Sequence, residues 1–584
     1  MVTKDLPIWN LTDFYPSNDS KEFENDLSDL RLKIINFSKK YKGKLKDFIP
    51  SKISSVISDF ENIEELIGKI KSYIFLFYCT DQLNSKKTTF YQMVQEKLKV
   101  LESQLLFFTI ELNKIDEKLF KSTEKSKYYV WIKNLRKYKK YQKSETTEKI
   151  LLDKSTTSSN AWIRLFDETM ARLRFNFRKK SLNESEILNL LSSPNKSKRK
   201  EASISFATKL KENIHLFTMI TNVLSKDLQI ENKIRGFKKP DDSRHLGNQV
   251  DAEDVKCLSE TVKKNYKNLS HRYYHYKAKK FKVKRLDYWD RNAPYPNQSN
   301  QNIDWNEAKD IVTKSYKRFD PRISKIVEMF FDKSWIHASV IDGKTSGAFA
   351  HPTVPSCHPY ILLNYQNKTR DVMTLAHELG HGVHQYLANS NGLLLSDTPL
   401  TLAETASVFG EMLTFKFLLE NSKSIEQRKT ILRSKIEDMI NTVVRQISFY
   451  EFEKQIHEKR QLSELSVNDI NNIWMSTQKD SLGPSIKFDK NYKYFWAYIP
   501  HFIHSPFYVY AYAFGDCLVN SLYSKYDNGH VNFNDLYIDL LKAGGTKHYS
   551  NLLEQFDLDA KDTSFWQGGL NIIENLINEL EKLD

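Results

Sequence analysis

Residues 370–389 read RDVMTLAHELGHGVHQYLAN. Val372, Leu375, Leu379, Val383 and Leu387 recur at steps of three and four, the apolar stripe of a helix packed on a core. Within it His377, Glu378 and His381 spell HExxH. Side chains four apart stand one above the other on a helix face, Cβ atoms about 5–6 Å apart. Two imidazoles so placed converge on one zinc at about 2.0–2.1 Å. Glu378 lies one position round, poorly placed as a third ligand but able to reach an attacking water as general base. Chance produces the pattern in about one chain in twenty at this composition. Its weight comes from its setting on a largely apolar, hence buried, helix.

Upstream, residues 335–365 read WIHASVIDGKTSGAFAHPTVPSCHPYILLNY and break the helical texture. Gly and Pro clusters alternate with β-branched and aromatic residues, which predicts two or three short strands near 338–341 and 360–363. Downstream, residues 400–413 read LTLAETASVFGEML. A catalytic zinc needs a third protein ligand and an open position. Glu404 stands among small and apolar neighbours and reads as a buried carboxylate, which is costly without a partner. Zinc would supply that partner, and so would an Arg or Lys. Glu411, on the same helix face, reads as an acceptor for a ligand imidazole or as a core salt bridge. His384 extends the pattern to HExxHxxH. Three residues of one straight helix wrap a metal badly, so His384 is assigned a packed or supporting role.

Near the C-terminus, residues 498–516 read YIPHFIHSPFYVYAYAFGD. His501, His504, Tyr508, Tyr510 and Tyr512 crowd around Pro506. Peptide hydrolysis builds negative charge on the former carbonyl oxygen, and a preorganised donor there is worth about 10²–10³ in rate. Phenol and imidazole suit that role; an aromatic core stripe is the competing reading.

The rest of the chain is consistent with a helical enzyme. In 584 residues there are 17 Gly and 15 Pro, too few for a chain of many tight turns. Stripes of apolar residues at helical spacing fill 23–37, 53–66, 90–112, 201–224 and 252–281, with a capping-box-like start at Asp19 and Glu22. The net charge of +15 raises the question of nucleic acid. The Lys residues are interleaved with Glu and Asp as on solvated helix faces, and the densest run, KNLRKYKKYQK at 133–143, has no recognised reading module. Four widely spaced cysteines make neither a CxxC pair nor a disulfide framework. The N-terminus, MVTKDLPIWNLTDFYP, has no basic start followed by an apolar stretch, and no apolar run is long enough to span a bilayer. The expectation is a cytoplasmic protein with no nucleic-acid or membrane partner.

Taken together, HELGH (377–381), LAETASVFGE (402–411) and PHFIHSPFYVYAYAFG (500–515) resemble the thimet oligopeptidase and oligoendopeptidase F family of zinc metallopeptidases. WNLTDFYPSND (9–19), YYHYKAKKFKVKRLDYWDRNAPYP (273–296), GKTSGAFA (343–350) and LKAGGTKHYSNLLEQFDLDAKDTSFWQGGL (541–570) extend the likeness over nearly the whole chain. The resemblance implies a mainly α, two-lobed helical fold around a deep substrate channel, with one small β-sheet beside the zinc-binding helix. It implies an N-terminal helical region over 1–200 and a catalytic region over 201–584. One zinc would be held by His377, His381 and Glu404, with Glu378 as base, and the substrates would be short unstructured oligopeptides. The donor role falls on His504, Tyr508, Tyr510 and His501. Thimet-type members carry a Gly-Gly pair where this chain has Ser505-Pro506, so which His and which Tyr carry the role stays open. The small sheet would offer an edge to an extended substrate, with Gly343 and Gly347 letting its backbone come close. The rival readings are a metallocarboxypeptidase or dipeptidyl carboxypeptidase of related fold, and a catalytically silent peptide-binding protein, for which an intact Glu378 would have no use. Sequence leaves the oligomeric state open.

Overall fold

The computed structural model of the chain describes residues 6–296 and 302–584. The first five residues, part of the N-terminal reading, lie outside the described residues. Helices dominate, as expected, and among the described residues the strands are short. Two units interleave along the chain: Met1–Lys140, Asn300–Asn421 and Lys525–Leu558 form one, and Tyr141–Ser299, Ser422–Ser524 and Asp559–Asp584 the other.

In the first unit, helix Lys21–Tyr41 is capped by Ser20, whose hydroxyl accepts from the Phe23 amide. The expected cap residue, Asp19, instead accepts from Ser17 Oγ at 2.6 Å. This helix packs on Pro50–Cys79 through Phe23, Leu30, Ile34 and Phe37. The stripe at 90–112 is split into Ser85–Ser103 and Leu106–Lys114.

The HExxH helix runs Thr369–Ala388. Its heaviest packing is against Thr405–Glu420, which in turn packs on Trp305–Phe319. Thr405–Glu420 is apolar almost all round, the pattern of a helix surrounded by protein. The close crossing explains the glycines of both motifs. A Cβ on Gly380 would collide with the Ala406 carbonyl oxygen and the Ser407 Cα, and one on Gly410 with the Tyr316 hydroxyl. That hydroxyl donates to the Ala376 carbonyl at 2.8 Å, tying a third helix to the HExxH helix.

Among the described residues, seven short strands make three sheets: β1 (Phe175–Phe177), β2 (Lys180–Leu182), β3 (Leu286–Asp287), β4 (Ile336–His337), β5 (Phe349–His351), β6 (Tyr360–Leu362) and β7 (Ile486–Lys487). The sheet beside the HExxH helix has the order β4-β6-β5, with β4 parallel and β5 antiparallel to the buried β6. The strand expected at 360–363 is present as β6. The one expected at 338–341 is not a strand: pairing stops at His337, and the chain leaves the sheet until Phe349. Lys344 pins that excursion. Its buried ammonium donates to the carbonyls of His337, Ser339 and Leu363 at 3.1, 2.6 and 2.8 Å, and burial lowers its pKa to about 7. Gly343 is used by the protein itself, not by an incoming backbone. Its φ is 79°, Asp81 and Leu83 fill the space beside it, and its carbonyl accepts from the Gln82 amide. Gly347, at φ 81°, faces open space.

The second unit centres on Ile214–Arg235, Val444–Leu462 and Val467–Leu482, which pack on one another, and carries sheets β1-β2 and β3-β7. The helical stretch expected at 252–281 is divided, with a wide π-type turn at Lys267–His271 between Ala252–Lys264 and Arg272–Lys280.

Candidate active site

On the HExxH helix, His377 and His381 present their Nε2 atoms to each other at 3.1 Å. Glu404 stands at the break between the short helix Leu400–Ala403 and Thr405–Glu420 (φ −81°, ψ −1°), which turns its carboxylate out of the helical run. Glu404 Oε2 lies 3.5 Å from both His377 Nε2 and His381 Nε2. One donor atom from each of the three residues lies within 4.8 Å of the others. Glu404 is half-buried, not buried as expected, and it is oriented by Ser407 Oγ, which donates to its Oε2 at 2.7 Å. Ser407 carries no charge and was not singled out in the sequence.

Glu411 settles between its two readings. His377 Nδ1–H donates to Glu411 Oε1 at 2.6 Å, which directs the other ring nitrogen toward Glu404. Burial opposes charge on His377, but the hydrogen bond and charge of Glu411, with Glu404 and Glu378 behind it, raise its pKa to about 9. Burial, opposed by Glu404 and reinforced by the His377 charge, lowers the pKa of His381. His384 is buried and its pKa is lowered by burial to about 3; its Nε2 lies 3.5 Å from Thr398 Oγ1, and the Ala403 backbone offers the ring a further hydrogen bond. It stands outside the three-residue cluster.

Glu378 is 6% exposed, and its Oε2 has no hydrogen-bond partner. Burial pushes its pKa up to about 7, a value suited to taking a proton near neutral pH. A cavity of about 370 Å³ brings Glu378, His377, His381 and His384 together with Ala348, Phe349 and Ala350 of the edge-strand segment. Gln385, Asp397 and Thr398 also line it, and no sequence pattern marked them.

These residues suit a zinc ion. Two imidazoles and one carboxylate are the donor set of an open catalytic site. The unpartnered oxygen of Glu378, costly to bury alone, borders the same cavity.

The His/Tyr segment belongs to the second unit. There His501 Nε2 lies 3.2 Å from the Tyr512 hydroxyl, and the Tyr508 ring is edge-on to Tyr512 at 5.2 Å. His504 pairs instead with Asp167, Nε2 to Oδ1 at 2.8 Å. Tyr510 is fully buried, its hydroxyl 3.0 Å from His245 Nδ1 and accepting from Asn248 Nδ2 at 2.9 Å. So the structure groups His501, Tyr508 and Tyr512, and gives His504 and Tyr510 partners of their own.

Residues 189–572 match peptidase family M3, and residues 111–175 match the family described as Oligopeptidase F. An oligopeptidase PepF of Bacillus subtilis is 27% identical, over 98% of this chain and 87% of that one. An oligoendopeptidase F homolog of Borreliella burgdorferi is 28% identical, over 98% of each. In fold, the crystal structure of oligoendopeptidase-F from Enterococcus faecium aligns with a TM-score of 0.72 at 20% identity, over 97% of this chain and 99% of that one.

Proposed function

The chain belongs to peptidase family M3, an oligopeptide-hydrolysing metallopeptidase, and from that premise we propose that it is a zinc-dependent endopeptidase with Glu378 as its general base. The observation that carries the proposal is the convergence of His377 Nε2, His381 Nε2 and Glu404 Oε2 beside the unpartnered Oε2 of Glu378. His377, His381 and Glu404 would hold the ion. When bound, zinc supplies a Lewis acid that polarises the scissile carbonyl and lowers the pKa of water to near 7.

The chain's own residues do the rest. Glu411 holds the His377 ring through Nδ1, and Ser407 holds the Glu404 carboxylate. Glu378 takes the proton of the attacking water and passes it to the leaving amine, a task its raised pKa suits. Strand β5 is a sheet edge whose residues line the same cavity, which supports binding of an extended peptide by strand addition. Such binding fixes backbone register and demands an unstructured substrate. The donor role at the developing oxyanion goes to the cluster of His501, Tyr508 and Tyr512; the partners of His504 and Tyr510 favour a structural role for those two. All four cysteines are free, which supports a reducing compartment such as the cytoplasm.

Metal analysis and turnover of a terminally blocked oligopeptide test the reading together. It requires one zinc per chain, cleavage at an internal bond, and loss of cleavage on chelation. Activity that survives removal of the metal would overturn it, and cleavage only when the C-terminus is left unblocked, releasing terminal residues or dipeptides, would favour the carboxypeptidase alternative.

A further inference from the structure

The second unit contains a cavity of about 200 Å³ whose walls include Tyr288, Trp289, Trp474 and Tyr498, together with Arg291 and Arg445. A guanidinium cannot shed its charge, and the contacts these two have are neutral: Arg445 lies 4.9 Å from the Phe449 ring and Arg291 stands beside the Tyr492 hydroxyl, so a bound anion would be favoured between them.

The protein does not supply one. Among the described residues neither guanidinium has a carboxylate in ion-pair contact. Arg291 Nε reaches Asn292 Oδ1 at 3.4 Å and Arg445 Nη2 reaches the Tyr498 hydroxyl at 3.5 Å, both longer than good charged hydrogen bonds. The neighbouring carboxylates are already engaged. Glu437 accepts from Lys277 at 2.6 Å and from the Tyr273 hydroxyl at 2.8 Å. Asp290 is paired with Arg199 at 2.7 Å, Asp287 with Lys196 at 3.5 Å, and Asp489 accepts from Asn491. Two donors at the chamber, Arg445 Nε and Trp289 Nε1, are buried without a partner. Buried donors left unmet are rare and point to a missing acceptor.

We propose that this cavity binds a peptide carboxylate, with Arg291 and Arg445 as its cationic contacts and the aromatic walls holding the residue that bears it. An aromatic lining buries apolar surface that a peptide has and a bare phosphate lacks. The chamber is smaller than the ~300–1,000 Å³ of a typical ligand site and suits one residue. Tyr498, a wall of the chamber, opens the segment assigned the donor role, and after burial and His504 the charge of Arg445 also lowers the pKa of His501, so the chamber adjoins that segment. The peptide half of the proposal rests on the oligopeptidase reading; the anion half does not.

Isothermal titration of the full-length holoenzyme tests it with four probes: N-acetyl-Leu-Phe as free acid, the same dipeptide as C-terminal amide, N-acetyl-Glu-Phe amide, and inorganic phosphate. The expected result is at least tenfold tighter binding of a carboxylate-bearing probe than of N-acetyl-Leu-Phe amide. Preference for the free acid identifies a C-terminal carboxylate, and preference for the Glu-bearing amide an acidic side chain. The preference is expected to vanish in Arg291→Gln and Arg445→Gln and to persist in His381→Ala, which separates this site from the metal centre. Because binding is read without turnover, a failure of the catalytic reading leaves these arms intact. Equal affinity of all three dipeptide probes in the parent protein overturns the proposal whether or not the arginine variants fold. A preference lost in His381→Ala and kept in both arginine variants overturns it too, as does phosphate binding that the peptides do not displace.

Discussion

His377 Nδ1 and Glu411 Oε1 are 2.6 Å apart, across two helices that cross closely. A carboxylate there fixes the proton on Nδ1 and leaves the other nitrogen of the ring for a metal. Glu411→Gln keeps the shape and removes the charge. Its zinc affinity should fall about 10–100-fold, read by competition with a chelating dye. An unchanged affinity would make Glu411 a packing residue.

His381→Ala removes one of three converging donors. Elemental analysis of the dialysed protein should find almost no zinc. Full retention would remove His381 from the ligand set.

Gly380 is the x of HELGH next to the second histidine, and its missing side chain is what lets the glutamate helix in. Gly380→Ala puts a methyl against the Ala406 carbonyl and the Ser407 backbone. Overpacking at a rigid contact costs about 1–3 kcal/mol, so the melting temperature should fall and zinc affinity with it. A variant that melts and binds zinc as the parent does would show that the crossing is not tight.

Tyr510 and Tyr508 stand two residues apart in the same segment and should behave oppositely. Tyr510→Phe strands the buried Asn248 amide and His245 imidazole, costing about 1–3 kcal/mol, with kcat of the folded fraction kept. Tyr508→Phe should lower kcat of the folded enzyme by about 10²–10³ with little change in KM. A Tyr508→Phe variant with parental kcat would move the donor role to another residue.

These contrasts mark where the sequence was readable and where it was not. Periodicity placed the HExxH helix to within a residue, because Val372, Leu375, Leu379 and Val383 all face one core. Spacing paired His377 with His381, because a helix fixes what lies four residues on. Glu404 followed from chemistry, though its neighbours suggested a deeper burial than its position at a helix break gives it. The strands were harder. A two-residue pairing such as β4 carries no alternation to detect, and the β4–β5 excursion is shaped by Lys344 meeting three carbonyls, contacts that no local pattern encodes. Roles within the His/Tyr segment were illegible for the same reason. Tyr510 is distinguished from Tyr508 only by His245 and Asn248, more than two hundred residues away in sequence.

The central claim is that Glu378, not a ligand, carries the proton in peptide hydrolysis, and the Glu378→Gln enzyme tests it most directly. The amide has nearly the same shape and cannot accept the proton. With zinc measured in the same sample, the variant should hold one ion per chain, melt like the parent and cleave a blocked oligopeptide at least about 10²-fold more slowly. Parental turnover at full zinc occupancy would contradict the assignment.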